Sequence, residues 1–281
     1  MRITYESLLK EGSEQLKKAG IKEYDLDAWY LMESSFSIDR VYYLLHKKEP
    51  ILEKEQSLSV YYKMIDKRTK RIPLQHIIGI QEFMGFPFYV NEHVLIPRQD
   101  TEILVETVLE EKKARDITVL DMCTGSGCIA ISLALHGKYI QVDASDSSLE
   151  AIKIAKKNND ALHAGVTFYL GDLFENVSGR YDVIVSNPPY IKKEVIETLE
   201  PEVKDHEPYL ALYGPENGLY FYRVIAKEAK GRLKVGGSLY FEIGYDQAES
   251  VCDILKLENY KNIRVKKDLA GKNRVVIGDL L

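Results

Sequence analysis

A serine, an amide, two prolines and a tyrosine follow directly after an apolar run, at Ser186, Asn187, Pro188, Pro189 and Tyr190. The apolar run, residues 181–185, is rich in β-branched side chains and predicts a buried strand that ends where the prolines begin. Because proline has no N–H and a fixed φ, the chain there forms a stiff loop that presents one amide, free carbonyls and an aromatic ring. Ligands bind at the carboxyl ends of strands in open α/β sheets, although Asn-Pro is also a common start of an ordinary turn.

A glycine-containing turn follows an earlier apolar run, residues 117–121. Gly125 and Gly127 permit positive φ and let a ligand approach the backbone closely, which favours a nucleotide or nucleoside ligand. The spacing is neither G-x-G-x-x-G nor G-x-x-x-x-G-K-[ST], which argues against a dinucleotide or a P-loop. Asp121, at the end of the strand, can accept a hydrogen bond from an ammonium group. We therefore expect a nucleoside that carries an amino-acid tail.

Acidic residues follow the next two predicted strands. The second strand ends near Asp143 and Asp146, about 20 residues beyond the glycine turn, where an acidic side chain binds ribose hydroxyls. Asp146 is nearer the strand end, but it is equally well placed to cap the following helix. After the third strand, Asp172 can accept from an exocyclic amine, and Leu173 or Phe174 can cover the face of a base. Together with the Asn-Pro-Pro-Tyr stretch, these residues indicate a ligand site.

Composition limits the classes of function. The chain has 281 residues, 45% hydrophobic and 29% charged, as expected for a globular protein of roughly two domains. A net charge of −5 argues against a dominant nucleic-acid-binding surface. Three cysteines, none in a metal-ligand pair, predict a reducing compartment and no disulfide framework, and no metal site is predicted. No apolar run reaches the ~18 residues of a membrane span, and residues 1–4 do not resemble a signal peptide, so we expect a cytoplasmic protein without a membrane partner.

Strand and helix patterns alternate from residue 117 onward. Strands are predicted at 117–121, 139–145, 166–170, 181–186, 236–243, 261–267 and 273–278, and helices mainly at 127–136, 148–160, 217–231 and 246–257. This alternation predicts that residues 98–281 form a doubly wound, mostly parallel seven-stranded sheet with right-handed crossovers. Since no helix separates the last two strands, they predict an antiparallel pair at one edge.

The first domain, residues 1–72, is predicted to be a small helical bundle, with Asp25 and Asp39 as caps of its second and third helices. Its last helix ends in the basic run 67–71. Positive charge is favourable at a helix C-terminus, and this explanation is preferred over contact with an acidic partner or RNA.

A linking segment, residues 73–97, contains glycine and proline within an imperfect alternation and predicts a β-hairpin. Asp100 or Thr101 is then placed to cap the next helix, and Arg98 can pair with Glu102.

The glycine turn and the polar strand ends resemble the class I S-adenosylmethionine-dependent methyltransferases, a Rossmann-like family, over residues 100–281. The family's loop pattern is Asp-x-Gly-x-Gly-x-Gly, and here Cys123 replaces the first glycine, so that position must accept a side chain. Cys123 is expected to be a small packed residue and not a nucleophile. The resemblance implies that S-adenosylmethionine, with S-adenosylhomocysteine as product, is bound by Asp121, Cys123, Thr124, Gly125, Ser126, Gly127, Asp146, Asp172, Leu173 and Asn187.

The Asn-Pro-Pro-Tyr stretch narrows the methyl acceptor. Families with this motif methylate a planar nitrogen, either an exocyclic amine of adenine or cytosine or the side-chain amide of glutamine. The lone pair of such a nitrogen is delocalised. Its two N–H groups need acceptors, and the Asn187 side-chain oxygen and the Pro188 carbonyl can supply both. Tyr190 can pack on the planar group, with Pro189 completing the substrate-binding set. No strong general base is required, because the nitrogen becomes acidic once alkylated.

Further segments are similar to the HemK/PrmC family, the release-factor glutamine methyltransferases. These segments are residues 73–79, 82–85, 94–102 and 207–212. The resemblance implies a protein-(glutamine-N5) methyltransferase acting on the Gly-Gly-Gln motif of bacterial class 1 peptide chain release factors. The helical domain and the basic run are then candidate contacts for the release factor. The chain departs from the family pattern at His76, Gln99 and Cys123, none of which belongs to the amide-binding group.

Two alternatives remain at this stage. A DNA or RNA amino-methyltransferase shares Asn-Pro-Pro-Tyr, but the net charge of −5 and the lack of an evident basic and aromatic recognition domain argue against it. A non-catalytic cofactor-binding scaffold has no need for paired acceptors at a strand end. The sequence therefore predicts methylation of protein glutamine, with no nucleic-acid substrate.

Overall fold

The structure, a computed structural model, describes residues 3–52, 54–114 and 116–281. Met1 and Arg2, to which the prediction on a signal peptide applies, lie outside the described residues. Its helices are α1 (Tyr5–Lys18), α2 (Tyr24–Phe36), α3 (Arg40–His46), α4 (Glu55–Thr69), α5 (Leu74–Ile78), α6 (Gln99–Glu111), α7 (Cys128–Gly137), α8 (Leu149–Leu162), α9 (Lys193–Ile196), α10 (Pro201–Lys204), α11 (Tyr209–Leu212), α12 (Pro215–Gly218), α13 (Tyr220–Ala229) and α14 (Ala248–Leu257). Its strands are β1 (Ile80–Phe83), β2 (Phe86–Tyr89), β3 (Thr118–Met122), β4 (Gln141–Asp146), β5 (Thr167–Leu170), β6 (Tyr181–Ser186), β7 (Leu233–Glu242), β8 (Lys261–Lys267) and β9 (Asn273–Asp279). Within the described ranges, no helix is both long and apolar enough to cross a membrane.

One compact unit contains the chain up to Gly79 together with the short stretch Glu200–His206. Its core is formed by apolar side chains of α1, α2 and α4 that recur at helical spacing, among them Leu8, Leu16, Leu31, Met32, Tyr61 and Ile65. Asp39 caps α3 by accepting a hydrogen bond from the Tyr42 N–H at 2.7 Å, as predicted. The predicted Asp25 cap is wrong, because α2 already begins at Tyr24 and the Asp25 carboxylate accepts from the Ser13 hydroxyl instead.

Ion pairs inside this unit account for part of the basic run at the end of α4. The Arg68 guanidinium is buried and lies 2.7 Å from Asp27 Oδ2 and 2.9 Å from Glu202 Oε1. Arg71 lies 2.7 Å from Glu202 Oε2. Lys70 forms an exposed pair with Asp66, one turn back on the helix. Arg68 and Arg71 therefore neutralise carboxylates of their own unit.

The second compact unit, Ile80–Leu199 and Glu207–Leu281, is built around a seven-stranded sheet in the order β5-β4-β3-β6-β7-β9-β8. Strands β3 to β7 are parallel, whereas β9 is antiparallel to both β7 and β8. The predicted sheet and its antiparallel edge are confirmed. The helix predicted from residue 217 begins only at Tyr220, because Glu216 and Asn217 have left-handed backbone angles.

Both faces of the central strands are covered. In β6, Val183 and Val185 pack on the side of α6 and α7, and Ile184 packs on the side of α13 and α14. Successive side chains of a strand point to opposite faces, so a strand buried on both sides is apolar throughout. This explains the three consecutive apolar residues of β6, Val183, Ile184 and Val185.

A β-hairpin of β1 and β2 also belongs to the second unit, and its existence is as predicted. Its turn, Met84-Gly85, has φ of 51° and 78°, the left-handed pair that tight hairpins need. Phe83 and Phe88 extend from the hairpin into the core of the sheet. Because the first unit extends to Gly79, the segment predicted as one link, residues 73–97, is divided between the two units.

The start of α6 differs from the prediction. Arg98 is the N-cap residue, so Asp100 and Thr101 lie inside the first turn and the predicted cap is wrong. Their side chains are engaged elsewhere: Asp100 Oδ2 lies 2.7 Å from Arg274, and Thr101 Oγ1 accepts from the Asn187 side chain. Tertiary partners thus replace the local cap.

Candidate functional site

A cavity of about 400 Å³ lies at the carboxyl ends of β3, β4 and β6. Nine of the predicted site residues line it: Cys123, Thr124, Gly125, Ser126, Asp146, Asp172, Leu173, Asn187 and Pro189. Four others, Asp121, Gly127, Pro188 and Tyr190, are not part of the lining. Parallel strands place their carboxyl ends at one edge of the sheet, which is why residues far apart in sequence meet here.

The glycine turn after β3 has left-handed backbone angles at Cys123, Gly125 and Gly127, with φ of 62°, 56° and 82°. A Cβ at Gly127 would lie 3.1 Å from Cβ of Ala155, so this glycine permits close packing against α8. Cys123 occupies a conformation that favours glycine, as its position in the family pattern implies. Burial raises the pKa of the Cys123 thiol, which keeps it protonated and supports a packing role.

Asp146 connects the end of β4 to the glycine turn. Its Oδ2 accepts the Gly125 N–H at 2.8 Å, and its Oδ1 accepts the Ser148 N–H at 2.9 Å. Ser148, not Asp146, is the N-cap residue of α8. The competing candidate, Asp143, lies within β4, where it is buried and accepts from the Tyr181 hydroxyl at 2.7 Å. Of the two aspartates, Asp146 is the one in the cavity wall.

Asp121 lies fully buried beneath the glycine turn. Its Oδ2 accepts from the Thr124 hydroxyl at 2.6 Å and from the Ala130 N–H at 3.2 Å, while its Oδ1 has no hydrogen-bond partner among the described residues. Burial raises the pKa of this carboxyl to about 7. The contact with a ligand's ammonium group stays a prediction, since Asp121 is absent from the cavity lining.

Asp172 and Leu173 form the wall after β5. Leu173 has a φ of 46°, and its carbonyl accepts from the buried Ser145 hydroxyl at 3.1 Å. This bond ties the strained turn to the end of β4. Both residues border the cavity, and their contact with a cofactor stays a prediction.

Asn187 borders the cavity where β6 ends. Its Nδ2 donates to Thr101 Oγ1 at 3.4 Å, so its Oδ1 is the side-chain atom left to accept from a ligand. The Ser186 hydroxyl donates to the Met122 carbonyl at 2.7 Å, which joins the ends of β6 and β3 beneath it.

Tyr190 is not part of the cavity lining and packs, partly buried, against the core on the side of α13 and α14. Its carbonyl accepts from Gln247 Nε2 at 3.2 Å, and burial raises the pKa of its phenol. Because its ring is absent from the lining, packing on the methyl acceptor stays a prediction. The same holds for the Pro188 carbonyl as a hydrogen-bond acceptor.

A second wall of the cavity was not predicted from the sequence. It is formed by residues 93–95, 97, 98 and 208–211. The Arg98 guanidinium pairs with the buried carboxylate of Glu207, and this pair joins the two segments. The predicted Arg98–Glu102 pair is wrong, since Glu102 Oε1 accepts the Met84 N–H at 2.7 Å. The sequence did contain a signal for this wall, because residues 207–212 form one of the segments that are similar to the HemK/PrmC family.

Comparisons with known proteins agree with this architecture. Residues 98–202 match the family model of the methyltransferase small domain, and residues 7–79 match that of the PrmC N-terminal domain. A solved methyltransferase from Pyrococcus furiosus is similar in fold, with a TM-score of 0.57, 18% identity, and coverage of 76% of this chain and 98% of that one. The sheet order and the site at its carboxyl edge define an S-adenosylmethionine-dependent methyltransferase of class I.

Relatives over nearly the whole chain identify the family. The release factor glutamine methyltransferase of Clostridium botulinum is 42% identical, covering 96% of both chains. That of Clostridium acetobutylicum is 40% identical over 94% of this chain and 98% of its own length. That of Geobacter sulfurreducens is 39% identical, covering 94% and 92%. This chain belongs to the release factor glutamine methyltransferase family, and the resemblance seen in the sequence is confirmed.

Proposed function

We propose that this protein transfers a methyl group from S-adenosylmethionine to the side-chain amide nitrogen of the glutamine in the Gly-Gly-Gln motif of class 1 peptide chain release factors, in the cytoplasm. The observation that carries the proposal is the place of Asn187. It borders the same cavity as the glycine turn, and its Oδ1 is left to accept a hydrogen bond. Relatives that bear this activity in their names support the choice of substrate.

The cofactor half of the site fits a nucleoside with an amino-acid tail. A Cβ built at Gly125 meets no other atom within 4 Å, so the turn is open toward the cavity. Asp146 would accept ribose hydroxyls, and Asp172 and Leu173 would bind the base. The unpartnered Oδ1 of Asp121 is a further acceptor beneath the turn. When bound, S-adenosylmethionine supplies an electrophilic methyl group on a sulfonium sulfur.

The acceptor half needs groups that hold an amide nitrogen. Asn187 Oδ1 and the Pro188 carbonyl would accept its two N–H groups, aim its lone pair and stabilise the positive charge that develops on nitrogen. The alkylated nitrogen is acidic and releases a proton to water. A strong general base is therefore unnecessary.

The first unit would contact the release factor, and residues 98–281 would carry out methyl transfer. Support for the contact comes from α3, which has no buried residue and exposes Val41, Leu44 and Leu45. An apolar surface of this kind is typical of an interaction site. Arg68 and Arg71 are poor candidates for the same contact, because carboxylates of their own unit already pair with them.

A labelling experiment tests the reaction. The purified protein is incubated with methyl-labelled S-adenosylmethionine and a class 1 release factor, its Gln-to-Ala variant in the Gly-Gly-Gln motif, or ribosomal RNA and DNA. We expect label on the wild-type release factor alone, with mass spectrometry locating it on the glutamine amide. Equal label on both release factors would refute the proposal, and label on nucleic acid alone would favour the amino-methyltransferase alternative.

A further inference from the structure

A buried carboxyl group lies behind Asn187, outside the cavity lining. Glu242 ends β7 and is only 3% exposed, and its Oε2 has no hydrogen-bond partner among the described residues. A buried polar atom without a partner is costly, so its retention calls for an explanation. The proposed methyl transfer does not use this group directly.

Glu242 is linked to Asn187 through Thr101. Asn187 Nδ2 donates to Thr101 Oγ1 at 3.4 Å, so the hydroxyl accepts one hydrogen bond and has its own proton to donate. Burial raises the pKa of Glu242, and hydrogen bonding from the Thr101 and Asn187 side chains opposes that rise, so both side chains lie beside its carboxyl group. The three groups come from three separate elements: α6, the loop after β6, and the end of β7.

The surroundings of Glu242 contain both signs of charge. Arg274 on β9 favours its ionised form, whereas Asp100 on α6 disfavours it. Tyr190, Tyr222 on α13 and Cys128 on α7 also face its charge, and the Tyr222 hydroxyl donates to the Glu242 carbonyl at 3.0 Å. Burial raises the pKa of Glu242 to about 7, so its ionisation changes within the range in which an enzyme works.

We propose that Glu242, in its ionised form, is a positioning residue that fixes the amide of Asn187 with Oδ1 toward the methyl acceptor. An ionised carboxylate only accepts hydrogen bonds, so Thr101 must donate to it and must in turn accept from Asn187 Nδ2. A protonated Glu242 can donate to Thr101. Thr101 is then free to donate to Asn187 Oδ1, which turns the amide around and removes the acceptor from the cavity.

The inference rests on the proposed function, and Glu242→Gln tests it because glutamine keeps the shape but cannot ionise. We expect kcat at pH 8 to fall about tenfold, roughly the effect of misplacing one charge-stabilising acceptor, with KM for S-adenosylmethionine within about twofold of wild type. The wild-type kcat should fall as pH drops below about 7, and this limb should be absent from the variant.

Asp143→Asn is the matched control, because Asp143 is also a buried carboxyl of the sheet with one unpartnered oxygen. It should change stability and leave both kcat and the low-pH limb in place. A wild-type kcat and low-pH limb in Glu242→Gln would overturn the inference, and so would equal losses of kcat in the two variants.

A second measurement does not depend on the substrate. The side-chain amide signal of Asn187 in nitrogen-15 NMR, assigned by its loss in Asn187→Ala, should shift with pH near 7 in wild type and stay constant in Glu242→Gln. A signal that does not titrate overturns the inference even if the enzyme is active. If the wild-type protein does not methylate the release factor but its Asn187 amide signal shifts with pH, the proposed substrate is refuted and the positioning role is supported.

Discussion

Asn158 Nδ2 donates to the Ser126 carbonyl at 2.9 Å, which attaches helix α8 to the glycine turn. The same amide donates to the Tyr89 carbonyl at 3.1 Å, and its Oδ1 accepts the Tyr89 N–H at 2.7 Å. One fully buried side chain thereby holds the hairpin and the glycine turn together. No predicted site residue lies in the hairpin or next to it in the sequence. The hairpin nevertheless contributes to the shape of the site through this contact.

Replacing Asn158 with Asp should weaken cofactor binding. The carboxylate still accepts the Tyr89 N–H, but it cannot donate to the Ser126 and Tyr89 carbonyls and leaves them unpaired in a buried place, at a cost of about 1–3 kcal/mol. We expect the Kd for S-adenosylmethionine, measured by calorimetry, to rise about tenfold. Asn159→Asp is the control, since Asn159 Oδ1 accepts the Val166 N–H, a bond that an aspartate keeps. The variant loses only the exposed 3.4 Å bond from Asn159 Nδ2 to Asp160. Equal affinities in the two variants would contradict the prediction.

Asn187→Ala should separate turnover from cofactor binding. Loss of the acceptor that holds the glutamine amide should lower kcat by about 10²–10³, as for removal of a charge-stabilising group elsewhere. The Kd for S-adenosylmethionine should stay within a few-fold of wild type, because other residues hold the cofactor. Single-turnover labelling and calorimetry give the two values. A loss of affinity as large as the loss of rate would assign Asn187 a purely structural role.

Arg68→Ala should destabilise the helical unit. The substitution leaves Asp27 without its cation and removes one of the two arginines, Arg68 and Arg71, that pair with Glu202. Breaking a buried ion pair costs about 3 kcal/mol. Trp29, the chain's single tryptophan, is buried in this unit, so its fluorescence in urea reports unfolding there. Lys70→Ala, which removes an exposed pair one turn apart, should cost less than about 0.5 kcal/mol. Similar midpoints for the two variants would contradict the buried-pair assignment.

Stability should fall as pH rises through the titration of Asp121. Burial raises its pKa from the ordinary 3.8 to about 7, so the folded protein holds this proton where the unfolded chain has lost it. The free energy of unfolding therefore decreases from about pH 4 to about pH 7, by roughly 4 kcal/mol from this group. Asp121→Asn removes the ionisation, and urea titrations followed by circular dichroism should show a shallower decrease for this variant. Parallel pH profiles would contradict the assignment.

Local patterns were sufficient for the architecture. Strand and helix periods, the glycine turn and the Asn-Pro-Pro-Tyr stretch predicted a parallel sheet with polar residues gathered at one edge, and the structure confirms that sheet. These features depend on backbone constraints and alternation within a few residues, which sequence displays directly.

Partners distant in sequence required the tertiary structure. Local spacing paired Arg98 with Glu102, but the fold gives Arg98 to Glu207. Spacing offered Thr101 as a helix cap, but the fold places it against Asn187. The choice between Asp143 and Asp146 likewise depended on where β4 ends. In each case the energy of a side chain depends on burial and on neighbours brought from other elements, and neither is encoded in adjacent residues.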